Sequence, residues 1–292
     1  MTFSRALAWS VFWIGLSLLV SLGVGVVYGS AAATAFLTGY AIEKALSIDN
    51  LFVFLMLFAH FGVSPKQQRK VLNYGVLGVI VLRGVLIFLG LQLVGMFEWL
   101  MYVFGAIVIY TGFVLAVGKE KGFDPKTNRI LRYARKLFTV SNDHKTTRFF
   151  QNAPTTASTT AARTASGRGG RMVTPLFIVL IVVETTDLLF AVDSIPAVFA
   201  VSRDPMIVFG SNILAVLGLR SLYFMLERMH EAFRFVKKGV GVILWFVGVK
   251  MLLPILGRPE LTISNVQSLA TVVGILLFSI LLSLAIPQKK HA

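Results

Sequence analysis

The chain has 292 residues, 56% of them hydrophobic and only 14% charged, with 28 Lys and Arg against 13 Asp and Glu. That balance excludes an ordinary soluble domain and a disordered chain, and it predicts a protein that crosses a membrane several times. The chain has no cysteine, which also excludes disulfides, thiolate metal centres and thiol catalysis.

About 20 apolar residues are needed to span a bilayer as a helix. Eight runs qualify, and they are too long and too evenly apolar to be barrel strands. The first, 6–28, precedes SAAA at 30–33. It is longer than the apolar core of a signal peptide, so we expect it to be retained as a helix. Run 31–60 holds Glu43, Lys44, Asp49 and Asn50, with His60 at its interfacial end. Run 71–94 holds Arg83, and 97–117 holds Gly105 and Gly112. The segment 119–173 then interrupts the apolar pattern with GFDPKTN, the basic stretch RILRYARKLF and the low-complexity stretch APTTASTTAARTASGRGG. The last has a disordered composition, and the basic stretch suits anionic headgroups.

Run 175–201 contains VVETTDLLFAVDSIPAVFA, with Glu184, Asp187, Asp193, Ser194 and Pro196. Run 205–227 holds Arg220, 237–256 holds Gly241, Gly248 and Lys250, and 264–286 is followed by a short basic tail. Assigning the loops alternately to two sides places 22 of the 28 Lys and Arg on one side and only Arg203 and Arg258 on the other. By the positive-inside rule, both termini and 119–173 are cytoplasmic. The same distribution leaves no basic module for nucleic acid.

The long loop divides two similar halves. Glu43 and Asp49 have the spacing of Asp187 and Asp193; Asn50 matches Ser194, Arg83 matches Arg220, and Gly105 and Gly112 match Gly241 and Gly248. Each half has three spans, an odd number, so the second copy starts from the opposite side of the membrane. That describes an inverted repeat, in which transporters place their sites near the midplane. The expected fold is an all-α polytopic protein of about eight helices. Its parts are an N-terminal helix over 1–30, three-helix repeats over 31–118 and 175–257, the basic loop 119–174 between them, and a last helix with its tail over 258–292.

Five acids inside spans, Glu43, Asp49, Glu184, Asp187 and Asp193, each cost at least ~2.5–3.5 kcal/mol on insertion scales and are functional candidates for that reason. Arg83, Arg220, Lys44 and Lys250 are the in-span cations available to balance or gate them. Carboxylates with an amide and a hydroxyl are hard donors suited to magnesium, calcium or manganese. A cationic amino acid is also compatible, as is a membrane assembly factor that only binds metal. The GxGD stretch of an intramembrane aspartyl protease is absent around Asp49 and Asp193, and no enzymatic site is expected. Pro196 removes the helical partner of the Val192 carbonyl, so we expect a helix break near Asp193–Pro196.

EKALSIDNLFVF and FAVDSIPAVFA, with FLTGYAIEK, YGVLGVIVLR and LGLRSLYF, resemble the TerC family of the LysE-like transporter superfamily, and within it the Alx-type manganese exporters. The resemblance covers nearly all the chain. It implies efflux of divalent manganese across the bacterial cytoplasmic membrane, with a link to tellurite resistance. By motif position it implies metal contact by Glu43, Asp49, Asn50, Glu184, Asp187, Asp193 and Ser194. Many relatives of the Alx type carry an extra N-terminal helix with its own acid, and this chain begins after that point: either the ninth helix is dispensable or this start is a truncated form. Export against an inside-negative potential of ~100 mV costs about 4.6 kcal/mol for a divalent cation, so proton antiport is the expected coupling.

Overall fold

In hydrocarbon every backbone N–H and C=O must find its partner inside the protein, so long apolar runs become helices. The computed structural model describes residues 3–117, 141, 146–152, 171–229, 235–253 and 263–286. Among them the chain forms α1 Phe3–Tyr28, α2 Ser30–His60, α3 Pro65–Met96, α4 Leu100–Val117, β1 Phe150–Asn152, β2 Arg171–Val173, α5 Pro175–Phe199, α6 Pro205–Leu217, α7 Leu219–Met229, α8 Val236–Leu252 and α9 Asn265–Ala285. Among the described residues, six stretches of helix are long and apolar enough to cross a membrane: α1, α3, α4, α5, Pro205–Glu227 and α9. The other two apolar runs correspond to α2, which carries Glu43, Lys44 and Asp49, and α8, which has 17 residues. The protein is a polytopic all-α membrane protein.

Local chemistry sets several boundaries. Asp204 caps α6, its side chain accepting from the N–H groups of Met206 and Ile207, and Pro205 follows at the first helical position, where its missing N–H costs nothing. Ser264 and Gln267 form a reciprocal capping box at the start of α9, which satisfies two donors that a helix start leaves bare.

The break expected at Pro196 is not formed: α5 runs through Pro196 to Phe199. The proline lies three residues from the helix end, where losing one intrahelical bond does not interrupt the turn. The interruption lies elsewhere, at Gly218 between α6 and α7. There the Ala215 carbonyl accepts from the Lys44 ammonium at 2.9 Å.

Proximity along the backbone divides the chain into two units. One comprises Met1–Phe52, Val79–Glu120 and Leu188–Ala292, the other Val53–Gly78 and Lys121–Asp187. In the first, α4 and α8 pack closely against each other. A Cβ on Gly112 would stand 2.5 Å from the Trp245 nitrogen and 2.7 Å from the Gly241 oxygen. On Gly248 it would stand 3.0 Å from the Gly105 oxygen. Gly105 thus meets Gly248 and Gly112 meets Gly241, so the helices cross antiparallel at a distance only glycine permits. In the same unit α1 lies along α7, with Ser10 donating to Ser221 at 3.0 Å.

In the second unit β1 and β2 pair antiparallel, Phe150 opposite Val173 and Asn152 opposite Arg171. Nothing in the sequence pattern announced these two short strands at the edges of the long loop. GFDPKTN, RILRYARKLF and APTTASTTAARTASGRGG lie outside the described residues, as does the C-terminal tail.

Candidate functional site

Among the described residues, three arrangements of carboxylates sit inside the apolar helices, and each treats its acid differently. The first is closed. Glu43 on α2 is fully buried, with Arg83 at 2% and Asn212 at 1% exposure. Arg83 Nη1 forms an ion pair with Glu43 Oε1 and donates to Asn212 Oδ1 at 2.8 Å. Asn212 Nδ2 donates to Glu43 Oε2 at 3.2 Å. Both carboxylate oxygens are therefore occupied and the charge is neutralised within the protein. A buried pair offsets its desolvation only when the remaining polar atoms are bonded as well, and Asn212 supplies those bonds. Sequence reasoning singled out Glu43 and Arg83 but not Asn212. Its signal was slight: a single amide inside the apolar run of α6.

The second arrangement is open. Asp193 on α5 is half-buried, and the Thr111 hydroxyl donates to its Oδ1 at 3.1 Å. Both line a cleft of about 250 Å³ with Asn50, Leu46, Tyr110 and Phe190. Thr111 is next to Gly112, so the close crossing of α4 on α8 fixes the height at which its hydroxyl meets Asp193. Among the described residues, the hydroxyl of Ser194, buried beside Asp193 in the chain, has no hydrogen-bond partner, nor has that of Ser47, one turn before Asn50 on α2. The side chain of Asp49 lies outside the described residues. Asn50 and Asp193 are thus brought to one cleft, as hard oxygen donors of the type that binds magnesium, calcium or manganese.

The third lies in the other unit. Among the described residues, both carboxyl oxygens of Glu184 on α5 are buried without a hydrogen-bond partner. They rest on α3 where Gly75 and Gly78 leave room: a Cβ on Gly75 would stand 3.1 Å from Glu184 Oε1, and one on Gly78 would overlap the carboxyl group. Asp187 follows one turn later on α5 and is 2% exposed, so the two acids share a helix face.

The hydrogen bonds of the in-span lysines go to groups other than the acids. Lys44 Nζ donates to the Ala215 carbonyl and lies 5.6 Å from the centre of the Tyr40 ring. Lys250 Nζ donates to Asn265 Oδ1 at 3.1 Å and Ser268 Oγ at 2.8 Å. Arg220, the sequence match of Arg83, is exposed, whereas Arg83 is buried. Among the described residues no three Asp, Glu or His side chains converge as a metal cluster.

Residues 28–291 match the integral membrane protein TerC family. A protein of Photorhabdus laumondii, provisionally named a membrane-bound redox modulator, Alx, is 44% identical over 261 residues, covering 87% of this chain and 77% of its own. The identically named protein of Escherichia coli K12 is 43% identical over 265 residues, with the same coverage. The chloroplast thylakoid membrane protein TERC of Arabidopsis thaliana is 37% identical over 271 residues, covering 93% of this chain and 66% of its own. No solved structure matches the chain.

Proposed function

The chain belongs to the TerC family of integral membrane proteins, and on that premise we propose that it exports a divalent cation, manganese, from the cytoplasm in exchange for protons. The observation that carries this reading is Asp193. It is a carboxylate inside an apolar helix whose hydrogen bond, among the described residues, is to the Thr111 hydroxyl, and it opens on a cleft shared with Asn50. An acid so placed is costly unless it has work to do. We assign it, with Asn50 and the preceding residue Asp49, to the cation as substrate. Thr111 holds one Asp193 oxygen in place and leaves the other for the ion.

Competition sets the chemistry. A proton and a metal ion want the same carboxylate oxygens, so binding one displaces the other. A site alternately open to each side of the membrane would exchange them. Glu43, Arg83 and Asn212 form a charge-neutral brace that need not give up its partners. The antiparallel glycine crossing of α4 and α8 supports the inverted repeat this reading uses. If 105 is related to 241 and 112 to 248, a contact of Gly105 with Gly248 generates the contact of Gly112 with Gly241, the reciprocity of a two-fold axis. The charge distribution supports both termini in the cytoplasm and, with bacterial relatives, the cytoplasmic membrane. The relatives' name speaks of redox modulation; in this chain no thiol exists to exchange electrons, so a redox effect would pass through the metal.

The test is transport by the purified protein in vesicles containing a manganese-sensitive dye. Manganese should enter or leave with an opposing pH change, and Asp193→Asn should abolish the flux while the protein still inserts and folds. Lysine flux in place of manganese, or undiminished flux in Asp193→Asn, overturns the reading.

A further inference from the structure

The second unit carries a surface the transport reading does not use. α3 begins at Pro65 with PKQQRK, and its apolar run starts at residue 71. At 1.5 Å per residue the run 71–94 measures about 36 Å, enough for the ~30 Å hydrocarbon core. The six residues before it add about 9 Å, which places Lys66, Arg69 and Lys70 at headgroup depth. Lys66 and Arg69 are exposed. Three cations in the opening turns of a helix stand against its dipole, and no acid offsets them in the first turn.

The edges of the long loop fold onto the same end of α3. Gln67 Nε2 donates to the Thr146 carbonyl at 2.8 Å, and Thr174 Oγ1 donates to the Arg148 carbonyl at 2.7 Å. These bonds bring in a fourth cation, Arg148, which is exposed. They also bring an aromatic collar. Phe149 packs edge-on against Tyr74 at 5.1 Å, and Phe150 lies 4.9 Å from Phe177. Lys70 Nζ lies 4.6 Å from the Phe149 ring centre. Tyr74 and Phe150 nevertheless remain about half exposed, at 52% and 48%. Among the described residues none of Lys66, Arg69, Lys70 and Arg148 has an acidic partner.

We propose that this patch is a docking surface for anionic phospholipid: Lys66, Arg69 and Arg148 meet the phosphate of the headgroup, and Tyr74 and Phe150 lie along the first acyl carbons. Three features together identify the occupant. The cations sit at headgroup depth, exposed aromatics lie on the hydrocarbon side of them, and the aromatic ring that joins loop to helix is itself held by a cation. Amphipathic rings prefer that boundary, and basic side chains there attract anionic lipid. A soluble polyanion would satisfy the charges and leave the exposed rings without a partner. The surface does not depend on the transported substrate, so it stands or falls apart from the transport reading.

The experiment uses the full-length protein in neutral detergent with added lipid, read by lipid retention in native mass spectrometry and by thermal unfolding. Wild type should retain phosphatidylglycerol in preference to phosphatidylcholine and gain thermal stability from it. Each cation removed should lower that preference roughly fivefold. The variant Lys66→Gln/Arg69→Gln/Arg148→Gln should therefore lose roughly a hundredfold. Equal retention of both lipids by wild type, or an unchanged preference in the triple variant, overturns the proposal. So does the same thermal shift with inorganic phosphate alone, which would mark a site for the free ion. Phe150→Trp keeps every charge and guards against a folding defect in the triple variant. The quenching it adds to that of the four native tryptophans should be stronger with brominated phosphatidylglycerol than with brominated phosphatidylcholine, and equal added quenching likewise sinks the assignment.

Discussion

Glu43 and Asp193 occupy the same unit, each inside a long apolar run, yet their surroundings are opposite. Glu43 has no exposed surface and commits both oxygens to Arg83 and Asn212. Asp193 is half-buried, holds one hydroxyl and faces a cleft. The first arrangement is complete and can take nothing more. The second has unused valence where a cation could enter. An acid in a membrane helix is thus not one kind of residue: what decides between brace and binding site is whether the protein has already supplied the counter-charge.

The sharpest way to break this comparison is to open the closed side. Arg83→Met leaves Glu43 buried without its cation, and such a loss costs about 3–5 kcal/mol. The variant should unfold far more readily in detergent, by thermal melting or loss of monodisperse protein. Removing both charges in Glu43→Gln/Arg83→Met should recover much of that stability, because the neutral amide leaves no unpaired charge behind. Asp193→Asn, in contrast, should shift stability by less than about 1 kcal/mol: its amide oxygen can still accept from Thr111. If Arg83→Met melts like wild type, Glu43 is not a brace. If Asp193→Asn melts as badly as Arg83→Met, Asp193 is not an open site.

A second test acts through packing. Gly112→Leu would drive a side chain into the backbone of Trp245 and Gly241, and overpacking of this kind costs about 1–3 kcal/mol. The effect should reach the open acid and spare the closed one. α4 must retreat from α8, carrying Thr111 with it, so Asp193 loses its hydroxyl while Glu43 keeps its partners. Manganese flux should fall more than the melting temperature predicts. A proportionate fall in both would mean that the crossing serves stability alone.

The helices were legible because hydrocarbon tolerates only helices and closed barrels, and the runs are too long and too evenly apolar for barrel strands; Pro175–Phe199 and Ser30–His60 fall within two residues of the runs read as 175–201 and 31–60. The glycines that meet across α4 and α8 were legible as positions that match between the two halves of the sequence. Pro196 misled because the loss of a hydrogen bond says nothing about how close a helix is to its end. Gly218 carried no such mark, and its break is accompanied by a partner from another helix, Lys44, that local sequence cannot show. Asn212 and Thr111 escaped for a related reason: one uncharged polar residue in an apolar run has no periodicity, and only the helix packed against it reveals what it serves. Arg220 matches Arg83 in sequence, yet that match does not bury it.

The smallest effect expected is also the most discriminating for the open side. Thr111→Val keeps the shape of the side chain and removes the hydroxyl that Asp193 accepts from. A single hydrogen bond to a charged group is worth about 1.5–3 kcal/mol at most, and less when water can enter the cleft and replace it. Stability should therefore fall by about 1 kcal/mol or less. The cation site, however, loses the group that fixes one carboxylate oxygen. The carboxylate can then rotate, and the concentration of manganese needed for half-maximal flux should rise while the maximal rate changes little. Thr111→Ser restores the donor and should restore the affinity. If valine and serine behave alike in the flux assay, Thr111 is only a neighbour of Asp193, and the cleft binds its cation without help from α4.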